Sequence, residues 1–318
     1  MPKNYSKILV TGGAGFIGSH IVDRLLKEGF EVTVIDNLTT VRRENIAHHQ
    51  DRKDFHFIKG DIRNTALVKK IVKHVDAVFH EAALVSVPRS IENPLLTNEI
   101  NVTGTLNLLE ACRHADVKRF IYASSTAIYG ETETLPQHEM LTPQPISPYA
   151  VSKLAAENYV KIYHKVYGLN TVSLRYFNVY GPRQTYGPYS GVITIFINRL
   201  QRNEPPIIYG DGEQTRDFIN VQDVVAANML ALTKKTAIGE VLNVATGTPT
   251  TIKQLLETLQ QIMNTSLKPT YADPRSGDIR HSYADMTNAK KLLRYNPKVS
   301  LRNGLTQLVK WYASLSQA

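Results

Sequence analysis

Tyr149 and Lys153 stand four residues apart in the run Tyr-Ala-Val-Ser-Lys, so a helix through them puts both on one face. A free phenol, with a pKa of about 10, is a poor base at neutral pH. A neighbouring ammonium and the positive ring of an oxidised nicotinamide together favour the phenolate. Such a tyrosine can exchange a proton with a substrate hydroxyl while hydride moves to or from the ring. Ser124-Ser125-Thr126 ends the β-rich run Phe120–Ala123, where a hydroxyl can share a hydrogen bond with the same substrate oxygen. Tyr-x-x-x-Lys alone arises often by chance. Its weight here comes from the strand end that faces it and from a glycine loop at the start of the chain.

That loop is Thr11-Gly12-Gly13-Ala14-Gly15-Phe16-Ile17-Gly18. Gly12, Gly15 and Gly18 recur every third residue between an apolar strand and an amphipathic helix. Glycine permits the tight turn, lets a pyrophosphate approach the backbone and lets the helix pack close to the sheet. The helix N-terminus then offers free N–H groups and a partial positive charge to the phosphates. Asp36 ends the next strand, where an acid can hold the adenosine ribose hydroxyls. A carboxylate there disfavours a 2′-phosphate, so the expected cofactor is NAD rather than NADP. Gly60-Asp61-Ile62-Arg63 follows the third strand. Asp61 can hold the adenine amino group or cap the following helix.

The elements that must position these residues alternate. Strands are expected at Lys7–Val10, Glu31–Ile35, Phe55–Ile58, Ala77–His80, Phe120–Ala123, Thr171–Tyr176 and Val241–Val244. Helices are expected at Ile17–Glu28, Thr65–Val72, Asn98–Ala115, Tyr149–Tyr167, Ile252–Met263, Thr287–Leu293 and Arg302–Leu315. Such alternation means an α/β fold, a doubly wound parallel sheet of the Rossmann type, with a smaller mixed α/β part after it. Past Asn178, Gly181-Pro182, Gly187-Pro188, Pro205-Pro206 and Gly210-Asp211-Gly212 punctuate the chain with turns. We expect residues 1–177, with a returning segment at about 220–246, to form the dinucleotide domain. Residues 178–219 and 247–318 should form the substrate domain. The 318 residues suffice for one large or two modest domains. No run of about 18 apolar residues suggests a membrane span. The polar start of the chain lacks a signal-peptide core, and Cys112 is the one cysteine, so a cytoplasmic location is expected. The net charge of +9 is scattered over short clusters such as Arg42-Arg43 and Lys69-Lys70. That pattern suits a solvated surface or an anionic small substrate better than nucleic acid.

On these residues the chain resembles the extended short-chain dehydrogenase/reductases, and within them the nucleotide-sugar 4-epimerases, particularly those acting on UDP-N-acetylglucosamine. The resemblance runs through Thr11–His20, His80–Ile91, Ala123–Gly130, Ser147–Lys153, Leu174–Gln184, Arg216–Val221 and Arg275–Asp285. It implies that Gly12, Gly15, Phe16, Ile17, Gly18, Asp36, Asn37, Asp61, Ile62, Ala82, Asn101, Ser124, Tyr149, Lys153 and Tyr176 hold NAD. It implies Tyr149, Lys153 and Ser125 as the catalytic group. Ser86, Ser125, Thr126, Tyr149, Asn178, Gln184, Val192, Tyr209, Arg216, Arg275, Asp278 and Ser282 would bind the UDP-sugar, with no metal. Arginines suit a pyrophosphate. The implied reaction removes hydride and a proton at sugar C4 and returns them on the other face, so NAD stays bound with no net redox change. The helices Asn98–Ala115 and Tyr149–Tyr167 would pair as a four-helix bundle in a homodimer.

Related 4,6-dehydratases carry an Asp-Glu pair directly after their catalytic Thr, and related decarboxylases favour an acid near that place. Thr126-Ala127 follows Ser125 here. After Arg275-Ser276-Gly277-Asp278, the position that sets pocket width at sugar C2 is Ser282. Epimerases restricted to plain hexoses often carry Tyr there. A small Ser favours UDP-GlcNAc and UDP-GalNAc, with UDP-Glc and UDP-Gal as further substrates. Rival readings are an epimerase restricted to non-acetylated or uronic sugars, a plain NAD-dependent sugar dehydrogenase, and a non-catalytic dinucleotide sensor. Sensors typically lose the Tyr-Lys pair. Glu81 departs from the neutral residue usual in the family; it either faces away from the site or alters polarity at the cofactor.

Overall fold

The computed structural model describes residues 5–41, 43–184, 191–274 and 278–315. The strands are β1 (Lys7–Thr11), β2 (Glu31–Asp36), β3 (Phe55–Lys59), β4 (Ala77–His80), β5 (Arg119–Ser125), β6 (Thr171–Tyr176), β7 (Asn178–Tyr180), β8 (Ile207–Tyr209), β9 (Thr215–Arg216), β10 (Phe218–Asn220), β11 (Val241–Val244), β12 (Thr250–Thr251), β13 (Thr270–Ala272) and β14 (His281–Ser282). The helices are α1 (Phe16–Lys27), α2 (Thr65–Val72), α3 (Val87–Glu92), α4 (Pro94–Asn98), α5 (Gly104–His114), α6 (Pro148–Tyr167), α7 (Val192–Gln201), α8 (Val221–Thr233), α9 (Ile252–Met263) and α10 (Leu301–Leu315).

Seven parallel strands form the central sheet in the order β11-β6-β5-β4-β1-β2-β3. The order reverses at β1, where the crevice beyond the strand ends of a doubly wound sheet receives ligands. Every residue of β4, β5 and β6 is buried, as a sheet covered on both faces requires. One core, with Ile21, Leu25, Val224 and Leu232, lies under α1 and α8. A second, with Leu108, Leu109, Ala156 and Val160, lies under α2, α5 and α6. A third, with Phe196, Ile197, Leu255, Leu259 and Leu308, joins α7, α9 and α10.

The expected strands and most helices are present, with three differences. The helix expected over Asn98–Ala115 is α4, a π-type turn at Glu99–Thr103, and then α5. The wider turn falls at Asn101, whose side chain bonds to the loop after β4. The helix expected over Thr287–Leu293 is a π-type turn at Ala289–Leu293. Its Ala289 and Leu293, with Met286 and Tyr295, pack into the first core. Helices α3, α7 and α8 are additional to the expected set. Helix α8 is apolar on most sides because it is wedged between α1 and the sheet.

Candidate active site

The glycine loop leaves β1 at Thr11 and enters α1 at Phe16. Gly12 has φ +66°, and a Cβ there would lie 2.7 Å from the Ala82 nitrogen. A Cβ on Gly18 would lie 2.2 Å from the Gly12 carbonyl oxygen. Both positions therefore accept only glycine. The N-cap of α1, Gly15, makes no side-chain cap, and no acid stands in the first turn. That helix end is left to an anion. Asp36 is buried and accepts from the N–H of Ala14 at 3.1 Å and of Leu38 at 2.9 Å. A carboxylate has about four acceptor sites, so two remain for vicinal hydroxyls. Burial holds its pKa above the ordinary value. These features fit a dinucleotide, with Gly12 to Gly18 at the pyrophosphate and Asp36 at the ribose.

Asp61 does not cap α2; Asn64 does, accepting from the Leu67 N–H at 3.1 Å. The Asp61 carboxylate instead faces Arg63, whose two side-chain bonds are 3.0 and 2.9 Å, and Asn37 Nδ2 at 3.0 Å. Arg63 holds its pKa down at about 2. Ile62 is buried beside Gly104. Asn101 accepts from the Leu84 N–H at 2.7 Å and donates to the Leu84 carbonyl at 3.0 Å and to Ser152 Oγ at 2.9 Å. It thus fixes the loop Ala82–Leu84 that borders Gly12.

His80 anchors the base of that loop. Thr105 Oγ1 gives its hydrogen to the Asn101 carbonyl at 2.6 Å, so it can only accept from His80 Nε2, 2.8 Å away. Nδ1 must then accept from Thr11 Oγ1 at 2.7 Å. This assignment of the ring proton follows from the partners. Burial keeps the imidazole neutral, with a pKa of about 3.

The proposed catalytic group meets where β5 faces α6. Pro148 opens α6 and Ser147 caps it, accepting from the Ala150 N–H at 3.2 Å. The Ser90 hydroxyl accepts from the Tyr149 N–H at 3.0 Å. Ser125 stands beside the Tyr149 phenol and favours the phenolate. Burial still holds the phenol above its usual pKa. Lys153 Nζ donates to the Ala123 carbonyl at 2.7 Å, and burial lowers its pKa to about 8. Among the protein's own groups, desolvation outweighs the pull of Ser125, which leaves the positive nicotinamide ring of the sequence reading a share to supply.

Glu81 does not face away. It is half-buried and accepts from the Tyr176 hydroxyl at 2.9 Å, and Asn228 Nδ2 donates to that same hydroxyl at 2.8 Å. Burial pushes the Glu81 carboxyl up to about 7. Lys153 stabilises the Glu81 carboxylate and is stabilised by it. Ser124 directs its hydroxyl to Glu157 Oε2 at 2.7 Å. Glu157 is paired with Arg175 through bonds of 2.7 and 3.0 Å, and Arg175 also donates to Tyr129 Oη at 2.9 Å.

Of the residues expected to bind substrate, Ser125 ends β5, Arg216 ends β9 and Ser282 ends β14. Ser86 caps α3, accepting from the Arg89 N–H at 3.3 Å. Gln184 accepts from Thr194 Oγ1 at 3.4 Å, and Val192 starts α7. Asn178 begins β7 and Tyr209 ends β8. Arg216 is ion-paired with Asp278 at 2.5 Å. Arg275 lies outside the described residues. Ser282 is 4% exposed and donates to Gln137 Oε1 at 3.0 Å, and Thr126 Oγ1 reaches the same oxygen at 3.4 Å. Sequence reasoning missed Gln137, Glu157, Arg175 and the fully buried Asp217. The Asp217 carboxylate accepts from the N–H groups of Thr246 at 2.9 Å and Gly247 at 2.8 Å. A charged Arg175 and a Glu157 at inward positions of β6 and α6 were the available signal.

The sequence pattern of the NAD dependent epimerase/dehydratase family matches residues 8–245. A putative UDP-glucose 4-epimerase of Methanocaldococcus jannaschii is 42% identical over 306 residues, 96% of this chain and 97% of its own. A solved UDP-N-acetylglucosamine 4-epimerase of Methanobrevibacter ruminantium, in complex with UDP-N-acetylmuramic acid, is 42% identical with a TM-score of 0.94, covering 98% of this chain and 99% of that one. A UDP-glucuronic acid 4-epimerase of Bacillus cereus, in complex with UDP-glucuronic acid and NAD, is 36% identical with a TM-score of 0.91, covering 97% and 99%.

Proposed function

The chain belongs to the NAD dependent epimerase/dehydratase family, and from that premise we propose that it is a UDP-sugar 4-epimerase whose preferred pair is UDP-GlcNAc and UDP-GalNAc. The observation that carries the reaction is Ser125 set beside the Tyr149 phenol and Lys153, on a strand end followed by Thr126-Ala127 rather than by acids. NAD, when bound, supplies the acceptor and donor of hydride. Tyr149 takes the proton of the sugar 4-hydroxyl and later returns it. Ser125 shares the hydrogen bond to that oxygen, and Lys153 holds positive charge at the phenol. The 4-keto sugar turns about its diphosphate before hydride comes back, so the proton and hydride balance within one cycle. Arg216 and Arg275 would hold the diphosphate, with Asn178, Gln184, Val192, Tyr209 and Asp278 around the uridine end.

For the sugar, similarity alone does not choose, because relatives acting on glucose and on N-acetylglucosamine derivatives are equally identical. The small Ser282, held back by Gln137, supports room for an acetamido group at C2. UDP-Glc and UDP-Gal are smaller at C2 and fit the same space. The deciding assay incubates the purified protein with UDP-GlcNAc and no added cofactor. Formation of UDP-GalNAc is expected; a requirement for stoichiometric free NAD⁺ would indicate a dehydrogenase, and no product a sensor.

The same reading includes a homodimer. Val151, Tyr159, Ile162 and Val166 are exposed at helical spacing on α6. Such an apolar stripe supports pairing with a second copy. No helix among the described residues is long and apolar enough to cross a membrane.

A further inference from the structure

Away from the catalytic group, Asp23 on α1 meets two consecutive histidines of the 3-10 turn Arg43–His49. His48 Nε2 lies 3.0 Å and His49 Nε2 2.7 Å from one oxygen, Asp23 Oδ1. The three donor atoms all fall within 4.8 Å of one another. Neighbouring residues on a helical turn ordinarily point about 100–120° apart. Here both rings swing to one point, with centroids 3.9 Å apart. The other carboxylate oxygen, Oδ2, is held by Arg183 Nη2 at 2.8 Å. That is the place of an outer partner that orients a ligating carboxylate and leaves its second oxygen free. His20 is engaged elsewhere, Nε2 at 3.0 Å from the Pro182 carbonyl oxygen and Nδ1 at 3.4 Å from Gln222 Nε2.

We propose that Asp23, His48 and His49 form a binding site for a divalent transition metal of the zinc type, with two imidazole nitrogens and one carboxylate oxygen as ligands and solvent completing the set. Two nitrogens and one oxygen select zinc, cobalt, nickel or copper over calcium or magnesium. Metal–ligand bonds of about 2.0–2.1 Å in a tetrahedron place ligand atoms roughly 3.3 Å apart. The two Asp–His spacings reach that value by opening a few tenths of an ångström. Each ring moves its remaining hydrogen to Nδ1 and gives Nε2 to the metal. The His48 side chain is 48% exposed and leaves the metal a way in. The Arg183 charge opposes a second cation and weakens its binding. The site also has a mechanical consequence. Asn45, on the same turn, donates Nδ2 to the Ala14 carbonyl at 2.8 Å. A metal that pins the turn to α1 therefore braces the glycine loop from outside.

The test uses the full-length NAD-bearing protein without a histidine tag. Zn²⁺ is titrated by calorimetry and Co²⁺ by visible absorption. One equivalent is expected to bind with a Kd on the order of 1–10 μM. His48→Ala and His49→Ala should each weaken binding by about tenfold or more. His48 is half exposed, so its replacement leaves the fold intact. His56→Ala, which removes an exposed histidine paired with Glu31 at 3.5 Å, should leave the Kd unchanged. Wild-type binding weaker than about 1 mM overturns the proposal. So does binding that His48→Ala and His56→Ala change equally.

Discussion

Arg175→Met is the perturbation whose size follows most directly from the geometry. The Glu157 and Arg175 side chains are 1% and 4% exposed, and two charge-assisted bonds of 2.7 and 3.0 Å join them. Methionine fills much of the volume but leaves the carboxylate buried with only the Ser124 hydroxyl, at 2.7 Å. Tyr129 also loses its donor at 2.9 Å. Breaking a buried pair from one side costs about 3–5 kcal/mol, because the remaining charge is neither paired nor hydrated. At roughly 2–4 °C per kcal/mol for a large domain, the melting temperature should fall by about 6–20 °C. Urea denaturation followed by circular dichroism measures the loss. Epimerisation assayed below the transition should also slow, since Ser124 holds the strand end that presents Ser125. The double variant Glu157→Gln/Arg175→Met removes the stranded charge and should recover at least half of the lost stability. A loss under about 1 kcal/mol in Arg175→Met, the size of an exposed pair, would refute the reasoning. A double variant no more stable than the single one would refute it as well.

Three further outcomes are expected. Tyr149→Phe should lower kcat by about 10²–10⁴-fold while UDP-sugar binding, measured calorimetrically, stays near wild type; a kcat within a few-fold of wild type would remove Tyr149 from the proton's path. Ser282→Tyr adds a ring where the side chain is 4% exposed and breaks the bond to Gln137. It should cut kcat/KM for UDP-GlcNAc about 100-fold more than for UDP-Glc, a difference of about 2.7 kcal/mol; equal losses on both sugars would sink the pocket argument. Glu81 keeps its proton in the folded protein up to about pH 7, whereas the unfolded chain releases it near the ordinary value of 4.5. The unfolded chain thus binds fewer protons between those values, and this group makes folding stability fall as pH rises from about 4.5 to about 7. Urea midpoints at pH 5 and pH 8, at equal NAD occupancy, should show that fall reduced in Glu81→Gln; an unchanged difference would count against a protonated Glu81.

What was legible in the sequence was set by local spacing. Gly12, Gly15 and Gly18 between a strand and a helix, and Tyr149 and Lys153 on one helical face, depend on the chain's own periodicity. The alternation of strands and helices likewise implied the parallel sheet, because each crossover must cover a face. The residues that sequence reasoning did not reach act across long separations. Gln137 meets Ser282, Glu157 meets Arg175, and Asp23 meets His48 and His49, only because crossovers and loops bring distant segments together. Protonation, too, was beyond the sequence. The neutral His80, the raised Glu81 and the lowered Lys153 owe their states first to burial, and desolvation belongs to the packed molecule rather than to any residue type. The sequence pointed to the glycine loop, Asp36, Ser125, Tyr149 and Lys153 and to the elements on which they ride. The tertiary structure decided which hydroxyls, carboxylates and ammonium groups are already engaged, since each donor or acceptor is satisfied by whatever folding places within about 3 Å of it.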